Sequence, residues 1–180
     1  MSPGEVLDFW FSPESRACWF ASTPEFDRRV ADRFEALWRA GSCGELDGWA
    51  STPEGALALV IVLDQFPLHI FRMRPEAWST EAQARAVARR GVEAGFDRDV
   101  EPERRGFFYL PFMHSESLAD QEYAVSLYEA NRLEEGLKWA RHHRDLIRRF
   151  GRFPHRNAPL GRTTTPDEEA WLRSPEAFRG

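Results

Sequence analysis

A chain of 180 residues is long enough to bury a core without staples and short enough to form a single domain. Its formal charge of −5 argues against nucleic acid as a partner, since phosphate binding needs a net basic face. Cys18 and Cys43 have no metal-type spacing, no basic-then-apolar leader opens the chain, and the longest apolar run, Ala56 to Leu63, is too short for a bilayer. The expectation is a cytoplasmic protein that engages no membrane, with reduced thiols and a core rich in Trp and Phe.

Helix starts recur along the chain in one grammar. Ser2-Pro3-Gly4-Glu5, Ser12-Pro13-Glu14, Thr23-Pro24-Glu25, Thr52-Pro53-Glu54, Thr165-Pro166-Asp167-Glu168 and Ser174-Pro175-Glu176 each offer a hydroxyl, a proline and an acid. The hydroxyl accepts from the open N–H groups of the first turn, the proline lacks an N–H that would be orphaned there, and the acid complements the helix dipole. Ser2/Glu5 and Thr165/Glu168 also have capping-box spacing. No Asn-Gly or Asp-Gly hairpin turn separates alternating runs, which favours an all-α chain.

In chain order, Val6 to Phe11 reads as a short aromatic helix. Residues 24–40 are amphipathic, with Phe26, Val30, Phe34, Leu37 and Trp38 on one stripe, ended by Gly41 and Gly44. Glu45 to Ala50 adds a further turn. Residues 53–66 carry the apolar run and read as a buried helix, which leaves Asp64 near its C-terminus, disfavoured by the dipole and in need of a partner. Pro67 and Pro75 bracket a turn holding His69 and Arg72. Thr80 caps a helix to Glu93 whose packing surface is Ala82, Ala86, Val87 and Ala88, with Gly91 and Gly95 fraying its end. Glu101-Pro102-Glu103 opens the next segment. Helices from about Ser115 to Asn131 and from Arg132 to Phe150 follow, and a last one begins at Pro166. Short connections between successive helices suggest antiparallel helical hairpins.

Candidate chemistry gathers in His143 to Arg162. At about 100° per residue, Trp139, His143, Leu146, Ile147 and Phe150 share one apolar arc, while Arg141, Arg144, Asp145 and Arg148 point away. Gly151 supplies a left-handed cap, and the proline-restricted loop beyond it presents Arg152, His155, Arg156, Asn157 and Arg162. Arginine forks match carboxylate or phosphate, which makes the loop an anion cradle; the structural alternative pairs these arginines with Asp64, Glu116 or Glu122. In Met113-His114-Ser115-Glu116, Ser115 reads as an N-cap and Glu116 as a first-turn residue, with His114, Leu118, Gln121 and Val125 on one face. No Gly-x-Ser-x-Gly elbow and no His-Glu-x-x-His or cysteine pair occurs, so neither a hydrolytic triad nor a metal site is expected, and no cofactor is.

VLDFWF at 6–11, VLDQFP at 62–67, FFYLPFMHSESLADQE at 107–122 and HRDLIRRFGRFPHRNAPLGR at 143–162 resemble the bacterial family called domain of unknown function 924. The resemblance spans nearly the whole chain and implies an all-α, tetratricopeptide-like array, with no activity attached. The chain departs from the family where members usually read Asp-Gln-Phe-Pro-Arg-Asn: it has Leu68 and His69, a departure that bears on ligand choice.

Three functional expectations follow. In the first, Asp64, His114, Glu116, His143, Arg152, His155, Arg156 and Arg162 converge on a pocket for a small anionic molecule, with Asn157, Gln65 and Arg72 as further contacts. There His143 or His155 acts as general acid or base near neutral pH, oriented by Asp64 or Glu116. In the second, the chain is a peptide-binding module with an open groove of exposed Arg, Asn and aromatic residues. In the third, the polar motifs lock the fold. Homo-oligomerisation is compatible with all three.

Overall fold

Hydroxyl caps set five helix starts in the computed structural model, which describes residues 1–175 and 177; the fold is all-α, with no strand among those residues. The helices are α1 (Pro3–Trp10), α2 (Pro13–Arg16), α3 (Pro24–Ser42), α4 (Pro53–Val60), α5 (Phe66–Ile70), α6 (Glu81–Ala94), α7 (Phe96–Asp99), α8 (Pro102–Met113), α9 (Leu118–Ala130), α10 (Glu134–Phe150) and α11 (Pro166–Leu172). Ser2 and Thr165 form full capping boxes with Glu5 and Glu168, and Ser12, Thr23 and Thr52 each accept from a first-turn N–H. The last signal, Ser174-Pro175-Glu176, ends on Glu176, which lies outside the described residues. The chain forms two compact units, one of residues 1–72 and 76–111, the other of residues 73–75 and 112–180.

In the first unit, α3 buries Phe26, Val30, Phe34 and Trp38, with Leu37 only half-buried. Gly41 does not end this helix. It is buried within it, where an added Cβ would meet the Leu63 side chain at 3.3 Å, and Gly44, at φ +82°, makes the turn instead. A short 3-10 helix at Asp47–Ser51 supplies the further turn.

The apolar segment is one continuous helical path through Pro53–Ile70. Pro67 therefore lies inside a helix, not in a turn, and Asp64 sits in mid-helix, not at a C-terminus. This path is 18 residues long and apolar enough to cross a bilayer, yet 78% buried inside the protein, as a core helix is. Pro67 has no N–H to give the carbonyl of Leu63, four residues back. The backbone answers by widening into a π-helical turn at Ile61–Gln65, closed by the Phe66 N–H on the Ile61 carbonyl. The Leu63 carbonyl accepts from Thr80 Oγ1 at 2.6 Å, and the same hydroxyl accepts from Trp38 Nε1 at 3.1 Å. Thr80 is thus a buried relay and makes no cap bond to α6.

On α6 the buried face is Ala84, Val87, Ala88 and Gly91, whereas Ala82 and Ala86 are exposed. Gly91 does not fray the helix: the Phe108 ring approaches so closely that an added Cβ would meet it at 2.9 Å. Gly95, at φ +82°, provides the end.

In the second unit, α9 and α10 form an antiparallel hairpin. Glu129 pairs with Arg141 and Glu122 with Arg148, a register that runs in opposite directions along the two helices. Tyr128 lies over Gly136, where a Cβ would meet its ring at 2.3 Å. Helix α9 begins at Leu118, later than expected, because Ser115 Oγ donates to Asp120 and accepts from the Ser117 N–H, holding 114–117 as a turn. Gln121 and Val125 are buried, while Leu118 is 43% exposed, so the face expected to join His114 with Leu118 is split. Trp139, expected on the buried arc of α10, is 46% exposed; His143, Leu146 and Ile147 are buried as their spacing predicts. Leu146, Ile147, Phe153 and Trp171 form a small core.

Replacing Thr80 by Val keeps the shape but strands the Leu63 carbonyl and the Trp38 N–H. Thr80→Val is expected to lower the unfolding free energy by about 2 kcal/mol, and Thr80→Ser by much less. Denaturant titration of the two variants checks this.

Candidate functional site

The turn 114–117 and the loop 152–162 of the second unit are brought together by carboxylates. Gln121 Nε2, fully buried, donates to the carbonyls of Met113 (2.6 Å) and Ser115 (2.7 Å), which fixes the turn carrying His114 and Glu116. Glu116 then reaches the loop. Its Oε1 accepts from the Phe153 N–H at 2.9 Å, and Arg162 donates to both carboxylate oxygens at 2.8 Å each. Burial alone would raise the Glu116 pKa, but Arg162, the Phe153 N–H and the nearby charge of Arg156 outweigh it and hold the carboxyl below its ordinary value.

The far side of the loop is held by Glu168 on α11. Arg152 Nε donates to Oε1 at 2.6 Å and its Nη2 to Oε2 at 2.9 Å, while Asn157 Nδ2 and the Thr165 N–H also donate to Oε2. Arg152, opposed by burial and helped by Thr165 and Asn157, holds the Glu168 carboxyl down at about 2. The anion cradle expected from Arg152 and Arg162 is therefore filled by the protein's own glutamates, and Asn157, fully buried, serves the same lock.

What this lock encloses is a cluster about the Phe153 ring. His143 and His155 lie 5.5 and 5.6 Å from it, centroid to centroid, and the Arg156 guanidinium stands 4.7 Å over it. Arg156 also donates to the His114 carbonyl at 3.0 Å. The His142 ring is 5.9 Å from His143, and Trp139 is 5.8 Å from His142, so rings lead from the exposed Trp139 to the buried Phe153.

His143 Nδ1 contacts the Trp139 carbonyl at 2.9 Å. A carbonyl only accepts, so Nδ1 carries the hydrogen and Nε2 of the neutral ring keeps its lone pair. Burial pushes the His143 pKa down to about 3; the carbonyl bond opposes this, while His114, His142 and Arg156 add to it. His155 is likewise pushed down to about 3 by burial, then by Arg156, His143 and His114. Both imidazoles are neutral at pH 7. A change of charge at either ring near neutrality is opposed, because it would add a cation to a confined, already cationic surrounding.

The remaining sequence candidates belong to the first unit. Asp64 and Gln65 are buried in the π turn, with Gln65 Nε2 donating to Asp64. The Arg72 fork is taken by Asp27, at 2.6 and 3.1 Å, and His69 Nδ1 contacts the same carboxylate at 2.8 Å. Two residues of the second unit escaped the sequence reading. Phe153 carries no site role of its own in the sequence, and the Thr165 capping box alone accounts for Glu168. Glu168 shares one arc with Trp171 and Leu172, three and four residues on, and this spacing does signal an inward carboxylate. Among the described residues, no group of three or more His, Cys, Asp or Glu is placed to hold a metal ion.

A family model described as bacterial protein of unknown function, DUF924, matches residues 6–176. A solved structure of a protein of unknown function from Agrobacterium tumefaciens, ATU0120, is similar at 40% identity, with a TM-score of 0.89 over 95% of this chain and 96% of that one. No curated protein matches.

Glu168 has a folded-state pKa below its ordinary 4.5, so its stabilisation is present above that value and is lost as pH falls toward about 2. Acid titration of unfolding should show this loss in the wild type. Glu168→Gln is expected to be less stable at pH 7 and to have a shallower acid limb; an unchanged limb would contradict the role given to this carboxylate. The imidazole NMR signals of His143 and His155 are expected to stay flat between about pH 5 and 8, a range in which an ordinary histidine titrates.

Proposed function

The chain belongs to the bacterial DUF924 family, and we propose that its second unit binds a small anionic molecule, carboxylate or phosphate, at the cluster of His114, His143, His155 and Arg156. The observation that carries this reading is the gathering of a buried imidazole (His143), a half-buried one (His155) and a buried guanidinium about one ring, Phe153. Arg156 supplies a permanent charge and a fork suited to an oxyanion, and its stacking on Phe153 presets its orientation. The single N–H of the neutral His155 ring can donate to the anion, while His143, whose N–H is held by the Trp139 carbonyl, keeps its Nε2 lone pair for a protonated oxygen of the ligand. An arriving anion would offset the discouragement of charge that His114 and Arg156 exert on His143 and His155. Glu116–Arg162 and Arg152–Glu168 act as struts that hold the walls. With both imidazoles held neutral, the cluster is suited to recognition and not to proton transfer through an imidazolium.

Titration of the protein with inorganic phosphate and with acetate, followed on the histidine signals at constant ionic strength, tests this. Saturable shifts of His143 and His155 are expected. Arg156→Met should weaken them roughly tenfold or more, the loss of a charge-assisted hydrogen bond. Histidine signals that do not respond in the wild type to either anion would refute the reading.

A further inference from the structure

The solvent face of helix α3 in the first unit carries a shallow, open cleft lined by Glu25, Arg28, Arg29, Asp32 and Arg33. We propose that this cleft is a binding site for one compact oxyanion, with Arg29 and Arg33 as its fork. The proposal is independent of the histidine cluster and of any function assigned to it.

Three observations lead there. The first is the state of the arginines. Arg16, Arg39, Arg72, Arg104, Arg141, Arg148, Arg152, Arg162 and Arg173 each meet a carboxylate. Arg29 and Arg33 instead lay their guanidinium groups on aromatic rings. Arg29 stands 5.8 Å over Phe9 and 5.2 Å over Phe26, and Arg33 5.1 Å over both Phe9 and Phe34. Stacking occupies a face of the guanidinium and leaves the in-plane N–H donors available.

The second is preorganisation. Phe9, Phe26 and Phe34 are buried and pack on one another, with Phe9 4.7 Å from Phe34 and 6.0 Å from Phe26. Arginines seated on such a base lose less rotamer freedom when a ligand arrives than arginines projecting into water. Positions 29 and 33 are one turn apart, so the two forks are neighbours on the helix surface.

The third is charge. Three arginines and two acids line the cleft, a local balance of one positive charge. The interleaved Glu25 and Asp32 repel an extended polyanion, which would have to pass over them, but admit a single carboxylate or phosphate group placed between Arg29 and Arg33. This separates the cleft from a nucleic-acid surface, which would be continuously basic.

The test maps amide and arginine side-chain NMR shifts of the whole protein on titration with inorganic phosphate and, separately, with acetate at constant ionic strength. Saturable shifts are expected at Arg29 and Arg33. Arg29→Gln with Arg33→Gln should reduce the affinity at least fivefold, and Asp32→Asn, which removes a repelling charge while keeping all three arginines, should raise it about threefold, the scale of one exposed charge pair. All these positions are exposed, so thermal unfolding of each variant serves as the folding check. Shifts spread evenly over all surface arginines, or an affinity unchanged in the double variant, would overturn the proposal. A response to phosphate alone, to acetate alone, or to both at these residues supports it and identifies the preferred oxyanion.

Discussion

One buried and one half-buried carboxylate organise the second unit. Glu116 gathers a backbone N–H and an arginine fork from residues 37 and 46 positions further along the chain. Glu168 gathers a second fork, a backbone N–H and a buried amide. Each carboxylate sits among more donors than it has oxygens, and its partners are themselves spread along one irregular loop. The loop 152–162 has no regular secondary structure beyond a short 3-10 turn; its shape comes from these anchors together with Gly151 and its prolines. Removing one partner would leave a poorly solvated charge facing the others, so the arrangement is held by mutual dependence.

The same economy of polar groups appears in the first unit. A proline within its core helix leaves one carbonyl without its helical donor, and the helix answers twice, by a π turn and by borrowing the Thr80 hydroxyl. Trp38 closes the chain of bonds from a different helix. The VLDQFP segment therefore places Asp64 and Gln65 side by side on a locally widened backbone, in the interior of the unit. Widened turns of this kind often accompany functional residues.

The arginines of the loop 152–162 take different kinds of partner. Arg152 and Arg162 are spent on internal glutamates, while Arg156 is stacked over a ring with imidazoles beside it. A cationic loop that appears uniform in sequence thus divides into arginines paired with glutamates and an arginine stacked on a ring. Similarity at 40% identity to a protein of unknown function, over nearly the full length of both, fixes the fold and leaves the chemistry to be read from the residues.

Much of the fold was legible in sequence because helix caps and apolar periodicity are local. Ser2, Thr23, Thr52 and Thr165 start helices by bonding residues three positions away, and His143 faces inward because Leu146 and Ile147 share its arc. Gly151 at positive φ belongs to the same class. Tertiary structure decided the rest. Thr80 became a relay instead of a cap because a carbonyl seventeen residues away lacked a donor. Trp139 stayed exposed although its spacing places it with the core. Glu168 acquired Arg152 as well as its cap, and burial removed from His143 and His155 the charge change near neutrality that isolated imidazoles show. Local hydrogen bonding and periodicity are written into neighbouring residues. Ion-pair choice and pKa depend on which distant groups share a low-dielectric space, and only the folded chain sets that.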